Sequence, residues 1–268
     1  MKILMINLEQ STDRLQQQQQ QFQILGLTFE RLPAVSIAET SIQDYEKLAF
    51  NGQRPMKQSE LACFLSHKKA WHAVIAANEP CLILEDDAVL VRDLSNILDD
   101  ISVLNDVDLV NLEVHGRKKI IAKQPTFSVA KDYQLFSMYQ DRSGAAAYVL
   151  FPSGARKLLT RLDQSYPKLA DEFISSCYIL NTYQIEPAAA LQSDKADMYG
   201  ISVPIAHGSV IGHIQNSAVY PSSMSVLLKF KLNRAIQQLI LGGRHLSVMP
   251  FSQRRYIHFD KSKFKMPS

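Results

Sequence analysis

The chain lacks the sequence features of several common protein classes. None of its apolar runs reaches 18 residues, so we expect no membrane-spanning helix. Cys63, Cys81 and Cys177 are odd in number and widely spaced, which predicts buried free thiols in a reducing compartment and no disulfide framework. The first residues, MKILMINLEQ, contain no small-residue cleavage site, and we interpret them as a β-strand instead of a secretion signal.

A glycine-rich phosphate loop is also missing. The segment INLEQSTDR, at the end of the first predicted strand, contains no glycine, whereas a nucleotidyltransferase normally places glycines at this point. The absence counts against one enzymatic interpretation, a nucleotidyltransferase acting on a sugar phosphate, which we keep as an alternative to the interpretation reached below. A second alternative is a non-catalytic nucleotide-sugar-binding protein, which would transfer no sugar to any acceptor.

Alternating strand and helix patterns over the first 115 residues predict an α/β fold with a mainly parallel central sheet flanked by helices. KILMINL is a short apolar strand, and Ser11 is expected to cap a helix that carries six consecutive glutamines, Gln16–Gln21, on a solvated face. Ser59 is expected to cap the next long helix, which precedes the strand CLILE. We predict a division after residue 222, with a main domain over 1–222 and a tail over 223–268.

The tail is strongly basic. The chain has a net charge of +3, but the nine Lys/Arg and one Asp from Lys229 onwards carry +8, which leaves −5 for the rest. Apolar residues of the predicted tail helix, among them Leu227, Phe230, Ile236 and Leu239, form a stripe beside these cations. This pattern is typical of a helix lying on an anionic membrane surface. A helix packed on the body is the alternative, and the tail lacks any nucleic-acid-binding motif.

Three consecutive carboxylates follow the buried strand CLILE. Glu85, Asp86 and Asp87 repel one another, so a positive partner is expected beside them. In open α/β sheets, ligands collect at the carboxyl ends of strands. Carboxylate oxygens suit Mn²⁺ or Mg²⁺, which bridge to substrate phosphates. The sequence therefore predicts a divalent cation here, and a solvated acidic turn or helix N-terminus is the alternative.

Several segments occurring in a fixed order carry a resemblance to a known family. They are INL with Arg14 after it, ELACFLSHKKAW, LILEDDAVL, VNLE, SGAAAYVLFPSGARKLL, LADEF, EPAAALQ and HIQNSAV, over about residues 1–220. Together they resemble glycosyltransferase family 25, the lipooligosaccharide β-glycosyltransferases of Gram-negative bacteria. The resemblance implies a GT-A-like nucleotide-binding catalytic domain whose acidic metal motif, usually written DxD, is Glu85-Asp86-Asp87 here.

The resemblance also implies which residues bind the donor and the metal. Asp87 is the first choice for direct metal ligation, with Glu85 and His213 completing the site. The residues predicted to contact the donor are expected to surround the acidic motif: they are Asn7, Leu8, Arg14, Ala34, Ser66, His67, Glu85 and Asp86. His67 and His213 could instead be structural histidines bonded within the fold, and Arg14 a surface residue of the first helix.

Inverting glycosyl transfer needs a carboxylate that takes the proton from the attacking acceptor hydroxyl. Asp171 opens the predicted helix DEFISSCYIL and is our candidate base, with Glu172 and Glu113 as alternatives. Asp is also a favoured helix cap, so a purely structural role for Asp171 is the competing interpretation. Gly144 and Tyr148, in a strand of small residues followed by an aromatic, are predicted acceptor contacts.

The sequence thus predicts a metal-dependent inverting hexosyltransferase. The expected donor is a UDP-sugar, UDP-galactose or UDP-glucose, and the expected acceptor is a lipooligosaccharide or lipopolysaccharide. The expected cofactor is Mn²⁺ or Mg²⁺. We expect the protein in the cytoplasm, peripheral on the inner face of the bacterial inner membrane, with no nucleic acid as partner.

Overall fold

A ten-stranded mixed sheet forms the centre of the protein. The structure, a computed structural model, describes residues 1–141, 144–203 and 224–265. The sheet has the strand order β12-β6-β8-β10-β5-β9-β3-β1-β2, with β7 paired to β8, and β4 and β11 form a separate two-stranded sheet. The strands are β1 Lys2–Asn7, β2 Glu30–Pro33, β3 Cys81–Glu85, β4 Ala88–Leu90, β5 Leu109–Asn111, β6 Lys119–Ala122, β7 Phe127–Val129, β8 Tyr133–Gln140, β9 Ala147–Leu150, β10 Thr182–Glu186, β11 Ala190–Gln192 and β12 Ser252–Arg255.

Seven α-helices cover or flank the sheet. They are α1 Thr12–Leu25, α2 Ile42–Leu48, α3 Gln58–Ala77, α4 Leu94–Ser102, α5 Pro152–Asp163, α6 Ala170–Ser175 and α7 Met224–Val248, counted over the described residues. Helix α3 begins one residue before the predicted cap: Lys57 is its N-cap, and Glu60 accepts a hydrogen bond of 2.8 Å from the Lys57 N–H. The prediction that Ser59 caps this helix is therefore wrong, because Glu60 satisfies the free backbone group and Ser59 lies buried in the first turn.

The α/β prediction is confirmed, with parallel and antiparallel strand pairs in one sheet. β1 pairs parallel with both β2 and β3, and β5 pairs parallel with β10. β9 runs antiparallel between β3 and β5. Side chains alternate between two hydrophobic clusters: Ile3 and Met5 face one and Leu4 and Ile6 the other. Because both faces are covered, these strands read as continuous apolar runs.

The C-terminal tail returns to the body. On α7, the Asn233 side chain donates to the Gly52 carbonyl at 2.8 Å, and Arg244 donates to the Tyr139 carbonyl at 2.7 Å. β12 then pairs antiparallel with β6 at the edge of the main sheet. Residues on both sides of the predicted division after residue 222 therefore share one sheet. None of the helices in the described ranges is both long enough and apolar enough to cross a membrane.

We predict that Gly154→Ala destabilises the fold. A Cβ at Gly154 would lie 2.4 Å from the Asp108 carbonyl oxygen, a backbone atom that cannot move aside cheaply. Overpacking of this kind typically costs about 1–3 kcal/mol. Urea unfolding of the two proteins measures the difference in the free energy of unfolding.

Gly242→Ala is the matched control, because Gly242 lies in α7 and a Cβ there would meet nothing within 4 Å. Alanine has the higher helix propensity, so this variant should be as stable as the wild type or more stable by about 1 kcal/mol. Equal unfolding midpoints for the Gly154 variant and the wild type would contradict the predicted close approach of α5 to β5.

Candidate active site

A cavity of about 530 Å³ opens at the carboxyl ends of β1 and β3. Its lining combines apolar residues such as Leu8, Ala34 and Val35 with the three acids of the motif. Seven of the predicted donor residues line it: Leu8, Arg14, Ala34, Ser66, His67, Glu85 and Asp86. The sheet topology explains why these residues lie together, because neighbouring parallel strands have their carboxyl ends at the same edge of the sheet.

Glu85 is held by a buried chain of hydrogen bonds. His67 Nε2 lies 3.1 Å from Glu85 Oε1, and His67 Nδ1 lies 3.0 Å from the Tyr148 hydroxyl. The Trp71 indole N–H donates to the same hydroxyl at 3.0 Å. A neutral His67 protonated on Nε2 satisfies every member: Trp71 donates to Tyr148, Tyr148 donates to Nδ1, and Nε2–H donates to Glu85.

This chain of hydrogen bonds corrects the prediction for Tyr148. Its side chain is 1% exposed, and its hydroxyl is engaged with Trp71 and His67. The predicted direct contact between Tyr148 and an acceptor is therefore wrong in this structure, since a buried phenol cannot reach a sugar hydroxyl. We assign Tyr148 the role of positioning His67.

Asp86 has its own partners. Arg14 donates to Asp86 Oδ1 at 2.9 Å, and the Asn7 amide donates to Asp86 Oδ2 at 2.8 Å. Asn7 is buried and is not part of the cavity lining, and Arg31 donates to its side-chain oxygen Oδ1 at 2.9 Å. Burial raises the pKa of Asp86, and the contacts with Arg14 and Asn7 oppose that shift.

Two glutamines of α1 fix the backbone of the acidic motif. Gln18 donates to the carbonyls of Asp86 at 3.1 Å and Ala88 at 2.9 Å, and Gln21 accepts from the Leu90 N–H at 2.9 Å. Gln18 is 3% exposed, so the prediction of a solvated face for the whole glutamine run is wrong at this position. The spacing contained a signal, since Arg14, Gln18 and Phe22 recur every four residues on one helix face.

Asp87 is the acid of the motif that fits a divalent cation. It is buried, and its Oδ1 has no hydrogen-bond partner in the described part of the chain. Burial raises the pKa of Asp87 to about 8, and the charges of Glu85 and Asp86 add to the shift. A buried carboxylate oxygen without a partner beside two other acids is the donor set that Mn²⁺ and Mg²⁺ use.

Glu113 lies close by under Gly144. Its Oε2 accepts from the Ala146 N–H at 3.2 Å, and its buried Oε1 has no partner among the residues described. Gly144 has φ +96°, and a Cβ there would lie 2.7 Å from Glu113 Oε2, so only glycine allows this approach. Burial raises the pKa of Glu113 well above its usual value, opposed by Lys119 and reinforced by Glu85.

Asp171 lies in the first turn of α6 and faces a second cavity of about 520 Å³. Its Oδ1 accepts from the Glu172 N–H at 2.7 Å. Burial raises the pKa of Asp171 to about 6, and the charges of Glu172 and Glu85 add to the rise. Asp171 and Glu85 are therefore within electrostatic range of each other, although different cavities expose them.

Of the remaining predicted residues, Glu172 and Ser66 form hydrogen bonds within the protein, and His213 lies outside the part of the chain that the structure describes. Glu172 accepts from Gln53 at 2.9 Å and lies 3.4 Å from Lys168, so its carboxylate is already engaged. Ser66 accepts from the Val35 N–H at 2.8 Å and thereby fixes the cavity rim. His213 lies outside the described residues, and its predicted metal contact stays a prediction.

Comparisons with known proteins point to one family. The family model of glycosyltransferase family 25 (LPS biosynthesis protein) matches residues 1–174. A glycosyltransferase 25 family member of Anopheles gambiae is 29% identical over 186 residues, 64% of this chain and 31% of that protein. Procollagen galactosyltransferase 1 of Danio rerio is 31% identical over 140 residues, 50% of this chain and 22% of that protein.

The chain thus matches about a third or less of the length of these relatives. A solved structure described as mannose-1-phosphate geranyltransferase from Thermus thermophilus aligns with 71% of this chain and 73% of its own. At a TM-score of 0.35 and 12% identity, that likeness carries no argument. The match of the family model over most of the sequence decides the family: the chain belongs to glycosyltransferase family 25.

Proposed function

We propose that the protein is a metal-dependent inverting glycosyltransferase that moves a hexose from a UDP-sugar to a lipooligosaccharide or lipopolysaccharide acceptor. The proposal depends on one observation: a cavity lined by apolar side chains and by the acidic motif lies within electrostatic range of Asp171, which lines a second cavity. Relatives named procollagen galactosyltransferase favour galactose over glucose as the transferred sugar.

The donor cavity suits the two ends of a nucleotide sugar. The apolar lining at Leu8, Ala34 and Val35 offers a surface for the planar base, and the acidic motif lies where the diphosphate would be. Asp87, with Glu85 beside it, would hold the divalent cation. Such an ion offsets the charge that a leaving diphosphate gains. Arg14 and Asn7 keep Asp86 in place, so that the acidic turn keeps its shape.

Asp171 is the proposed base. The acceptor hydroxyl oxygen attacks the anomeric carbon, its proton passes to Asp171, and the bond from that carbon to the diphosphate breaks. The pKa of about 6 suits this task, because a base must be ionised at neutral pH yet hold a proton well enough to remove it. Glu113 and Glu172 are less suited, since Glu113 is buried under Gly144 and Glu172 is paired with Lys168.

The second cavity is the proposed acceptor site. Besides Asp171, it is lined by Tyr178, Gln53 and the Gln237 and Gln238 side chains of α7. Amides can hydrogen-bond sugar hydroxyls, and an aromatic face can pack on a sugar ring. A third, smaller cavity is lined by both Asp171 and Tyr148, and the Tyr148 hydroxyl lies 3.0 Å from Nδ1 of His67, which lines the donor cavity.

The outer face of α7 is the proposed contact with an anionic membrane, on the cytoplasmic side of the inner membrane. Phe230 of the predicted stripe is buried, but Leu228, Leu232, Leu239 and Leu246 are exposed along this face, and basic residues such as Lys231 flank it. An apolar stripe beside cations favours binding to anionic lipid. Binding there would hold the enzyme near a lipid-anchored acceptor.

We predict that Asp171→Asn lowers kcat by two or more orders of magnitude and leaves the affinity for UDP unchanged, because an amide cannot accept the hydroxyl proton. In the wild type, kcat/KM should fall about tenfold per pH unit below about pH 6, where Asp171 becomes protonated, and should be flat above it. Initial rates with UDP-galactose and a truncated lipooligosaccharide provide both measurements.

Glu172→Gln is the control for this experiment, since Glu172 neighbours Asp171 on α6 but is paired elsewhere. Its turnover at neutral pH should stay within a few-fold of the wild type, and the fall in rate should begin at a lower pH, because the charge of Glu172 contributes to the raised pKa of Asp171. Near-normal turnover of the Asp171 variant would retire Asp171 as the base and would move the assignment to Glu113.

We predict that Asp87→Asn removes the dependence of UDP binding on Mn²⁺. In the wild type, Mn²⁺ should tighten UDP binding at least about tenfold relative to a solution containing EDTA, because the cation joins carboxylate to diphosphate. Calorimetric titration of UDP, with and without Mn²⁺, measures the two affinities for each protein.

Asp194→Asn is the matched control, since Asp194 lies near Asp87 but pairs with Lys195 at 2.9 Å. It should keep the full effect of Mn²⁺. A wild-type protein that binds UDP equally well in EDTA would overturn the proposed metal dependence.

We predict salt-sensitive binding of the protein to vesicles that contain anionic phosphatidylglycerol. Replacing Leu228 and Leu239 by Asp should reduce the bound fraction several-fold, because both side chains are exposed on the stripe. Flotation at low and high salt measures the bound fraction.

The control is a double Asp variant at Ile42 and Val103, which are similarly exposed but lie away from α7. It should bind as the wild type does. Lack of binding to anionic vesicles at low salt would remove the membrane proposal.

A further inference from the structure

Three side chains of different chemistry converge on one wall of the donor cavity. Cys63 Sγ, a ring nitrogen of His67 and a carboxylate oxygen of Glu85 all lie within 4.8 Å of one another. Cys63 and His67 are four residues apart on α3, so they share one face of the helix, and Glu85 ends the facing strand β3. All three residues line the cavity.

This donor set differs from that of the acidic turn. Thiolate, imidazole and carboxylate together are ligands of Zn²⁺, whereas Mn²⁺ and Mg²⁺ prefer oxygen alone. We propose that Cys63, His67 and Glu85 form an inhibitory zinc site, with water as the fourth ligand, next to the oxygen site at Asp87. Its inhibitory effect rests on the proposed function of the cavity as the donor site.

The distances require little rearrangement. His67 Nε2 and Glu85 Oε1 are 3.1 Å apart, and neighbouring ligands of a tetrahedral Zn²⁺ lie about 3.3–3.8 Å apart, given bonds of about 2.0–2.3 Å. The remaining separations are at most 4.8 Å. A rotation that moves Cys63 Sγ by about 1 Å therefore completes the three protein ligands, because a cysteine has one side-chain torsion to adjust.

The surroundings of His67 favour a fixed ligand. Its Nδ1 lies 3.0 Å from the Tyr148 hydroxyl, which Trp71 also contacts, so the ring is oriented with Nε2 towards Glu85. Partners of this kind typically raise the metal affinity of a histidine by about 10- to 100-fold. On binding, the ring proton moves from Nε2 to Nδ1 and is donated to the Tyr148 oxygen, and the Tyr148 O–H, which donated to Nδ1 before, turns away from the ring.

Zinc at this position would interfere with the donor in two ways. The ion would occupy the wall that Cys63, His67 and Glu85 contribute to the cavity. It would also place positive charge beside Asp87 and would engage Glu85, the two residues proposed to hold Mn²⁺, so the two cations would compete. We therefore expect Zn²⁺ to weaken binding of UDP in the presence of Mn²⁺.

The test begins with zinc binding alone, measured on the full chain by competition with a chromogenic zinc indicator. The wild type should bind one Zn²⁺, and Cys63→Ser should weaken this binding at least about 100-fold, since it removes a direct ligand. Cys177→Ser is the matched control, because Cys177 is also a free cysteine but lies beyond the end of α6, outside the donor cavity, and it should bind as the wild type does.

Co²⁺ gives a second readout, which does not depend on activity. Bound Co²⁺ should show thiolate-to-cobalt absorption in the wild type and in Cys177→Ser but not in Cys63→Ser, and circular dichroism should verify that each variant folds. Equal zinc affinity of Cys63→Ser and the wild type, or absence of the thiolate band in all proteins, would overturn the site.

Competition with UDP then tests the inhibition separately. Addition of Zn²⁺ should raise the apparent Kd for UDP with Mn²⁺ at least about tenfold in the wild type and much less in Cys63→Ser. Cysteine-dependent zinc binding without any effect on UDP would overturn the inhibitory role. Zinc binding by a protein that never binds UDP would leave the zinc site standing and would count against the proposed function alone.

Discussion

The site depends on how the protein accommodates the repulsion among Glu85, Asp86 and Asp87. Each of the three carboxylates has different surroundings. Glu85 lies within hydrogen-bond distance of His67, Asp86 accepts from Arg14 and Asn7, and Asp87 is buried with an oxygen that lacks a partner in the described residues. Because Glu85 and Asp86 have partners in the protein, Asp87 is the carboxylate that remains for a cation. The roles of the acids are thus set by their neighbours and not by their order in the motif.

The same residues connect the two proposed substrate cavities. Glu85 faces the donor cavity, and its charge contributes to the raised pKa values of Glu113 and Asp171. The chain from Trp71 through Tyr148 to His67 fixes where that charge sits. A change in any member would therefore alter both cavities at once, which makes the buried network a control point for binding and for proton transfer.

Periodicity predicted the fold, and strand ends together with the family resemblance predicted the donor cavity. Apolar runs located β1 and β3, the rule for strand ends located Glu85, and the resemblance added Leu8 and Arg14, which line the same cavity. The sequence prediction was wrong for two residues, Gln18 and Tyr148. Gln18 lies in a run whose composition indicates solvent, and only the four-residue spacing from Arg14 indicates burial. Tyr148 was expected to contact a sugar but faces α3. The strand pattern alone does not show which side of an antiparallel strand α3 covers.

Helix α7 joins the proposed acceptor site to the proposed membrane contact. Arg234, Gln237, Gln238 and Leu241 recur at helical spacing and line the acceptor cavity, whereas Leu228, Leu232 and Leu239 recur on the opposite face and are exposed. A helix with its side chains is about 10 Å across. If the exposed face rests on lipid, the cavity therefore lies about one helix diameter from the surface. An acceptor anchored in the same membrane would need only its first few sugars to span that distance and reach Asp171.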